Sequence, residues 1–171
     1  MRVRIYVPAT VSTLDAVRTA GEVGPAPVTG FAVTPTLREW YAEGDEDELE
    51  YAAFSDAARA SLRMLDADPL TPRRRVVLSA DVPESTVTVH PDLDRAVVRV
   101  SGPVPVSSLA CLHVDGADAE KDVAAAAAVA LEADLGDEDA QFVVDGAEGH
   151  ELEWYDVTEI DQVVDGRRPD S

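Results

Sequence analysis

The chain has 171 residues, with 34 Asp plus Glu against 14 Lys plus Arg, a formal net charge of −20 at pH 7 and a pI near 4.2. Hydrophobic residues make up 46% and the mean hydropathy is −0.09, the apolar content of a folded domain rather than of a disordered acidic tail. A surface this negative is repelled by nucleic acid and by anionic membranes, so neither is an expected partner.

Length and pattern together predict one compact domain over residues 1–165, with a flexible C-terminal tail at 166–171. Residues 2–7 alternate, with Val3, Ile5 and Val7 on one face and Arg2, Arg4 and Tyr6 on the other, as in a half-buried strand ended by Pro8. Ser12 and Asp15 have the spacing of a capping box for a helix that turns Leu14 and Val17 to the core and stops at Gly21. Gly30–Val33 reads as a short buried strand. Thr34-Pro35 then supplies an N-cap and a first-turn proline for a helix running to about Glu43 and stopped by Gly44. The strongest pattern follows. Tyr51, Phe54, Ala58, Leu62 and Leu65 recur three or four apart on a helix over 46–66, with Asp45 as N-cap, acids in the first turn and Arg59 and Arg63 toward the other end.

Beyond Arg73–Arg75 the period changes to two. Strands are predicted at 76–82, 86–90, 96–101 and 109–115, with connections short enough for an antiparallel meander. Asp118 opens a helix to about Ala133 with Val123, Ala127 and Leu131 on one side; its alanine run marks good helix formers and close packing, not low-complexity disorder. A helix at 138–147, a strand at 151–155 and a last helix with Ile160, Val163 and Val164 facing inward complete the chain. The fold class this order predicts is α+β, with a mixed or antiparallel sheet covered by helices.

Absences restrict the chemistry. Cys111 is the lone cysteine, so neither an intrachain disulfide nor a thiolate-rich zinc site can form. No phosphate-binding G-x-x-x-x-G-K-[ST] loop, dinucleotide fingerprint or G-x-S-x-G elbow occurs. The sole lysine, Lys121, lies in a helix with no support for a Schiff-base role. His150-Glu151 begins like a zinc-protease motif, but Trp154 stands where the second histidine belongs. The acidic runs at 45–48 and 115–122 fail the spacing of a calcium loop and fit helix first turns. No metal and no cofactor is therefore expected, and no catalytic residue is assigned. Without an apolar leader or a membrane-length apolar run, the expected location is the cytoplasm.

Two places remain as candidate sites. Arg38, Trp40 and Tyr41 share a short helix, and Trp, Tyr and Arg are the usual anchors of interfaces, so this region is the candidate patch for binding another protein. Adjacent helical residues diverge by about 100°, so one of Trp40 and Tyr41 is expected in the core and the other partly exposed. The other candidate is a pocket around His113 and Asp115. Cys111, His113 and Asp115 fall on one strand face at steps of roughly 7 Å, so contact between the thiol and the imidazole requires a bulge or a second strand. Arginines concentrate at Arg2 and Arg4, at Arg59 and Arg63, and at Arg73–Arg75, the places to seek a small anionic ligand.

The stretch from Ala32 through Thr34-Pro35, Arg38-Glu39-Trp40-Tyr41 and Tyr51 to Arg63 resembles an uncharacterised actinobacterial family of conserved hypothetical proteins. Arg75–Pro83, Leu112–Asp115 and His150–Tyr155 match its later segments, so the resemblance covers nearly the whole chain. It implies an actinobacterial, GC-rich source and carries no activity or site residue. The expectation reached is a non-enzymatic protein-binding or regulatory domain, with a small-molecule-binding domain or small enzyme as the alternative.

Overall fold

The computed structural model describes residues 1–166, and the tail predicted from 166 onward lies, except for Gly166, outside the described residues. The chain runs β1 (Arg2–Ala9), α1 (Val11–Ala20), β2 (Glu22–Val23), β3 (Val28–Phe31), α2 (Pro35–Trp40), α3 (Glu46–Ala67), β4 (Val76–Pro83) and β5 (Val87–Val89). It continues β6 (Val97–Val100), β7 (Val104–Pro105), β8 (Leu109–Asp115), α4 (Glu120–Asp134), α5 (Glu138–Glu148), β9 (Leu152–Tyr155) and α6 (Ile160–Asp165). The α+β class holds. A seven-stranded sheet has the order β5-β6-β3-β1-β4-β8-β9 with every pairing antiparallel, and β2 pairs separately with β7.

The predicted meander survives only as the β5–β6 hairpin. β4 and β5 are joined by three residues, Glu84–Thr86, although β1, β3 and β6 lie between them in the sheet. Four strand spacings of a flat sheet take about 19 Å, whereas the chain from Pro83 to Val87 reaches about 14 Å at most. The sheet is therefore strongly coiled, and Val3 of β1 and Val87 of β5 pack into one core. The β1–β3 ladder is reduced to the pair Tyr6–Phe31, and Pro8, which has no N–H to give, lies just beyond it.

Alternation along the strands sorts the side chains onto two faces. Ile5, Val7, Leu78, Leu112 and Val114 meet Leu14 and Val17 of α1 and Ile160 and Val163 of α6. Tyr6, Phe31, Val77 and Val97 on the opposite face meet Leu49, Ala53 and Ala57 of α3. Further along α3, Leu62 and Leu65 pack with α4 and α5. The central strands are thus covered on both sides, which the half-buried reading of β1 does not anticipate.

Several local expectations shift. Thr10, not Ser12, caps α1 by accepting the Thr13 N–H, while Gly21 stops it in the left-handed region at φ +77°. Thr34 and Pro35 open α2 as predicted, but α2 ends at Trp40 because the chain must turn, with Gly44 N–H on the Tyr41 carbonyl, to present Asp45 as the cap of α3. Helix α4 faces its neighbours with Ala126, Ala127 and Ala130 beside Val123, and Leu131 is 57% exposed. Small residues allow the helices to approach closely, so the seam excludes the leucine. Among the described residues no helix is long and apolar enough to cross a membrane.

Candidate functional site

Helix α3 crosses the sheet over β1 and β3, and the α4–α5 pair packs against its C-terminal half. Between α3 and the β4–β8–β9 side of the sheet lies a cleft of about 940 Å³. Its floor follows from register. Tyr6, Ser79 and Cys111 are successive cross-strand partners on β1, β4 and β8, and His113 is paired with Val77 on one side and Trp154 on the other. Phe54 and Tyr51 descend from α3, one turn of helix apart.

His113 sits at the centre of this floor. Its Nε2 lies 2.9 Å from Ser79 Oγ and 3.3 Å from Cys111 Sγ. The edge-to-face contact with Phe54, centroids 4.8 Å apart, fixes the ring plane. β8 carries a register shift opposite Ser79 and Ala80, with Cys111 paired to Ser79 and Leu109 to Ala80, so that Ala110 is the extra residue; from Cys111 to Val114 the pairing with β4 is regular. The thiol and the imidazole therefore meet as i and i+2 neighbours on one regular stretch of strand, their side chains leaning together across the roughly 7 Å step. The expectation that contact requires a bulge or a second strand fails. Burial lowers the His113 pKa from its ordinary value near 6.5, and the positive charge of Arg4 lowers it further, so the imidazole is neutral at pH 7.

Asp115, expected beside His113 in a pocket, does not face the cleft. It is fully buried and accepts from Arg75 three times: Nε to Oδ2 at 2.8 Å, Nη2 to Oδ1 at 2.8 Å and the backbone N–H to Oδ2 at 2.7 Å. The same Nη2 donates to the His150 carbonyl at 2.9 Å, anchoring the turn that forms one rim. Asp115 therefore supports the cleft from beneath.

One arginine from each of the three clusters, Arg4, Arg59 and Arg75, does line the cleft, together with Arg95. Each is already engaged by carboxylates: Arg4 by Asp81, Arg59 by Asp134 and Glu148, Arg75 by Asp115 and Arg95 by Asp56. The cations are largely neutralised where they stand, and the cleft is not a strong anion trap. Its distinguishing content is aromatic. The chain has two Trp, four Tyr and three Phe, and of these Tyr6, Tyr51, Phe54 and Trp154 all line this one cleft. Tyr51 and Trp154 are more than 60% exposed at its mouth.

Arg38, Trp40 and Tyr41 gather elsewhere, at the α2 end of α3. Arg38 pairs with Glu46 at 2.5 Å, and the Arg95 guanidinium lies 5.4 Å from the Trp40 ring centroid and 5.3 Å from that of Tyr41. Neither aromatic is in the core: Trp40 is 68% and Tyr41 38% exposed, and Leu37 is the residue by which α2 fills the interior. The expectation of one buried member thus fails, because a six-residue helix presents a single turn to the sheet. Trp154 and Tyr155 divide as adjacent strand residues do, Trp154 toward the cleft and Tyr155 against the other core. Among the described residues no group of three or more His, Cys, Asp and Glu side chains is placed to hold a metal ion.

Ser79 and the aromatic wall of Tyr6, Tyr51, Phe54 and Trp154 lie outside the two candidate sites read from the sequence. The signal for Ser79 is a lone hydroxyl in the apolar run Val76–Ala80, on the strand face shared with Arg75 and Val77. Phe54 stands in the predicted helix stripe and reads as core until the sheet beneath it is known. A search of curated proteins and a search of solved structures each found no match. A family model does match, over residues 3–164, taking in both candidate sites and every strand and helix but the ends of the first and the last, and the chain accordingly belongs to a family of unknown function (DUF6912).

Proposed function

We propose that the protein is a cytoplasmic small-molecule-binding protein whose cleft receives a largely neutral, planar ligand with one polar group directed at His113. The observation that supports this most is the concentration of four of its nine aromatic side chains around one cleft of about 940 Å³ with a neutral imidazole at its base. Clefts of this size suit drug-sized molecules, and apolar walls with few polar groups are the usual design of such sites. The exposed rings of Tyr51 and Trp154 are positioned to lose water against a ligand face.

The test uses N-phenyl-1-naphthylamine, an uncharged aromatic dye that brightens on leaving water. Saturable one-to-one binding is expected, with energy transfer from Trp154 retained in the Trp40→Phe variant. Phe54→Ala and Trp154→Ala should each weaken binding by about tenfold, since ~1.4 kcal/mol is the scale of a lost ring contact. Binding that is non-saturable, or unaltered in both variants, removes this reading.

The exposed Trp40 and Tyr41, with Arg38 beside them, favour a second reading in which this surface docks another protein. A partner captured by the wild-type chain and by Trp154→Ala, but not by Trp40→Ala/Tyr41→Ala, is the expected result. Capture unaffected by the double substitution counts against it.

A further inference from the structure

The cleft floor holds more than a binding site requires. Ser79, Cys111 and His113 come from two adjacent strands and converge on a single atom, His113 Nε2, on a face otherwise given to apolar packing and paired charges. From this geometry we infer that Cys111 and His113 are a nucleophile–base pair that accepts an acyl group from an ester entering the cleft. The inference rests on the cleft being a ligand site and adds to it a covalent reaction and a substrate class, an acyl ester with an apolar or aromatic body.

The thiol and the imidazole are placed for the proton transfer that opens the step. With the ring proton on Nδ1, the single lone pair of Nε2 accepts from the Ser79 O–H at 2.9 Å in the resting site and from the thiol, 3.3 Å away, once that hydroxyl turns aside. Nε2 takes the Sγ proton as sulfur attacks the ester carbonyl carbon. The new S–C bond forms, the bond from that carbon to the leaving oxygen breaks, and the proton passes from Nε2 to the departing alcohol. Ester and thiol become thioester and alcohol, with no oxidant or further reactant. The lowered pKa of His113 keeps Nε2 unprotonated at neutral pH, as a base must be. Phe54 holds the ring plane, and Ser79 Oγ holds Nε2 from β4, making Ser79 a positioning residue.

Cys111 rather than Ser79 is the nucleophile for two reasons. A thiol is intrinsically far more reactive near neutral pH than an alcohol. Ser79 is also the deeper of the two, 1% exposed against 8% for Cys111.

p-Nitrophenyl acetate is the probe, since acylation releases coloured nitrophenolate and leaves a mass tag that peptide mapping locates. The expected result is a burst of one equivalent per chain with the acetyl group on Cys111, abolished in Cys111→Ser and slowed about 100-fold in His113→Gln. His113→Ala should regain rate in proportion to added free imidazole, a rescue that a purely structural histidine would not show. Ser79→Ala should slow the burst while leaving its amplitude at one equivalent. The wild-type chain alone gives a check that needs no variant: Cys111 should react faster in the native protein than in the same protein unfolded in urea at the same pH. Slower native reaction, a tag on any other residue, or equal rates with and without His113 overturns the inference. If N-phenyl-1-naphthylamine still binds in the cleft under those outcomes, the binding site stands and only the covalent step falls; if the dye fails as well, both fall.

Discussion

Replacing Asp115 with alanine is expected to cost about 3–5 kcal/mol of stability, read as a lowered midpoint in urea unfolding. The physical cause is the Arg75 guanidinium, 3% exposed, which would keep its charge in the interior with its bidentate partner gone. The backbone N–H of Arg75 and the His150 carbonyl are tied to the same arrangement, so the loss extends to the α5–β9 turn at the cleft rim. The pair's net contribution is a separate quantity, because removing two charges from water offsets much of their attraction. Arg75→Met with Asp115→Leu is therefore expected to recover part of the single-variant loss, the remainder being the cost of the Arg75 backbone N–H and the His150 carbonyl, which lose these partners. Equal losses in the single and double variants would place the cost in shape and packing instead of charge.

How legible this region is in the sequence depends on the range of the contact that defines it. β8 is predicted to the residue, and the face shared by Cys111, His113 and Asp115 follows from alternation alone. The partner of Asp115 does not follow, because Arg75 is 40 residues away and one strand over, and nothing local selects it from the other arginines. Helix α3 and its cap Asp45 are legible because dipole, cap and apolar stripe agree along one continuous segment. The cleft is not, since Tyr6, Phe54, Ser79, His113 and Trp154 come from five elements whose order in the sheet departs from their order in the chain. The bulge at Ala110 is invisible for the same reason: it is a property of the β4–β8 register, not of either strand by itself. Strands β2 and β7, of two residues each, are too short to carry a period. Net charge misleads most. At −20 the surface is acidic, yet the cleft is lined by four arginines that carboxylates already engage, and its character is set by aromatic rings.

A second large effect is expected at Ser61, a fully buried hydroxyl on α3. Its Oγ donates to the Ala9 carbonyl at 2.7 Å and accepts the Val76 N–H at 3.1 Å. Ala9 and Val76 are the last pair of the β1–β4 ladder, so one side chain satisfies both strands where they part, and it also fixes α3 upon them. Ser61→Ala removes the oxygen and leaves a buried acceptor and a buried donor without it, at about 1–3 kcal/mol for each group. The loss should appear in urea unfolding together with faster amide exchange at Val76. Phe54 lies seven residues before Ser61, two turns along the same face of α3, so loosening this attachment should also weaken dye binding in the cleft. Destabilisation with Val76 exchange unchanged would mean that the serine acts by filling space. Loss of both stability and Val76 protection would identify its hydroxyl as the link that sets α3, and with it the aromatic wall, above His113.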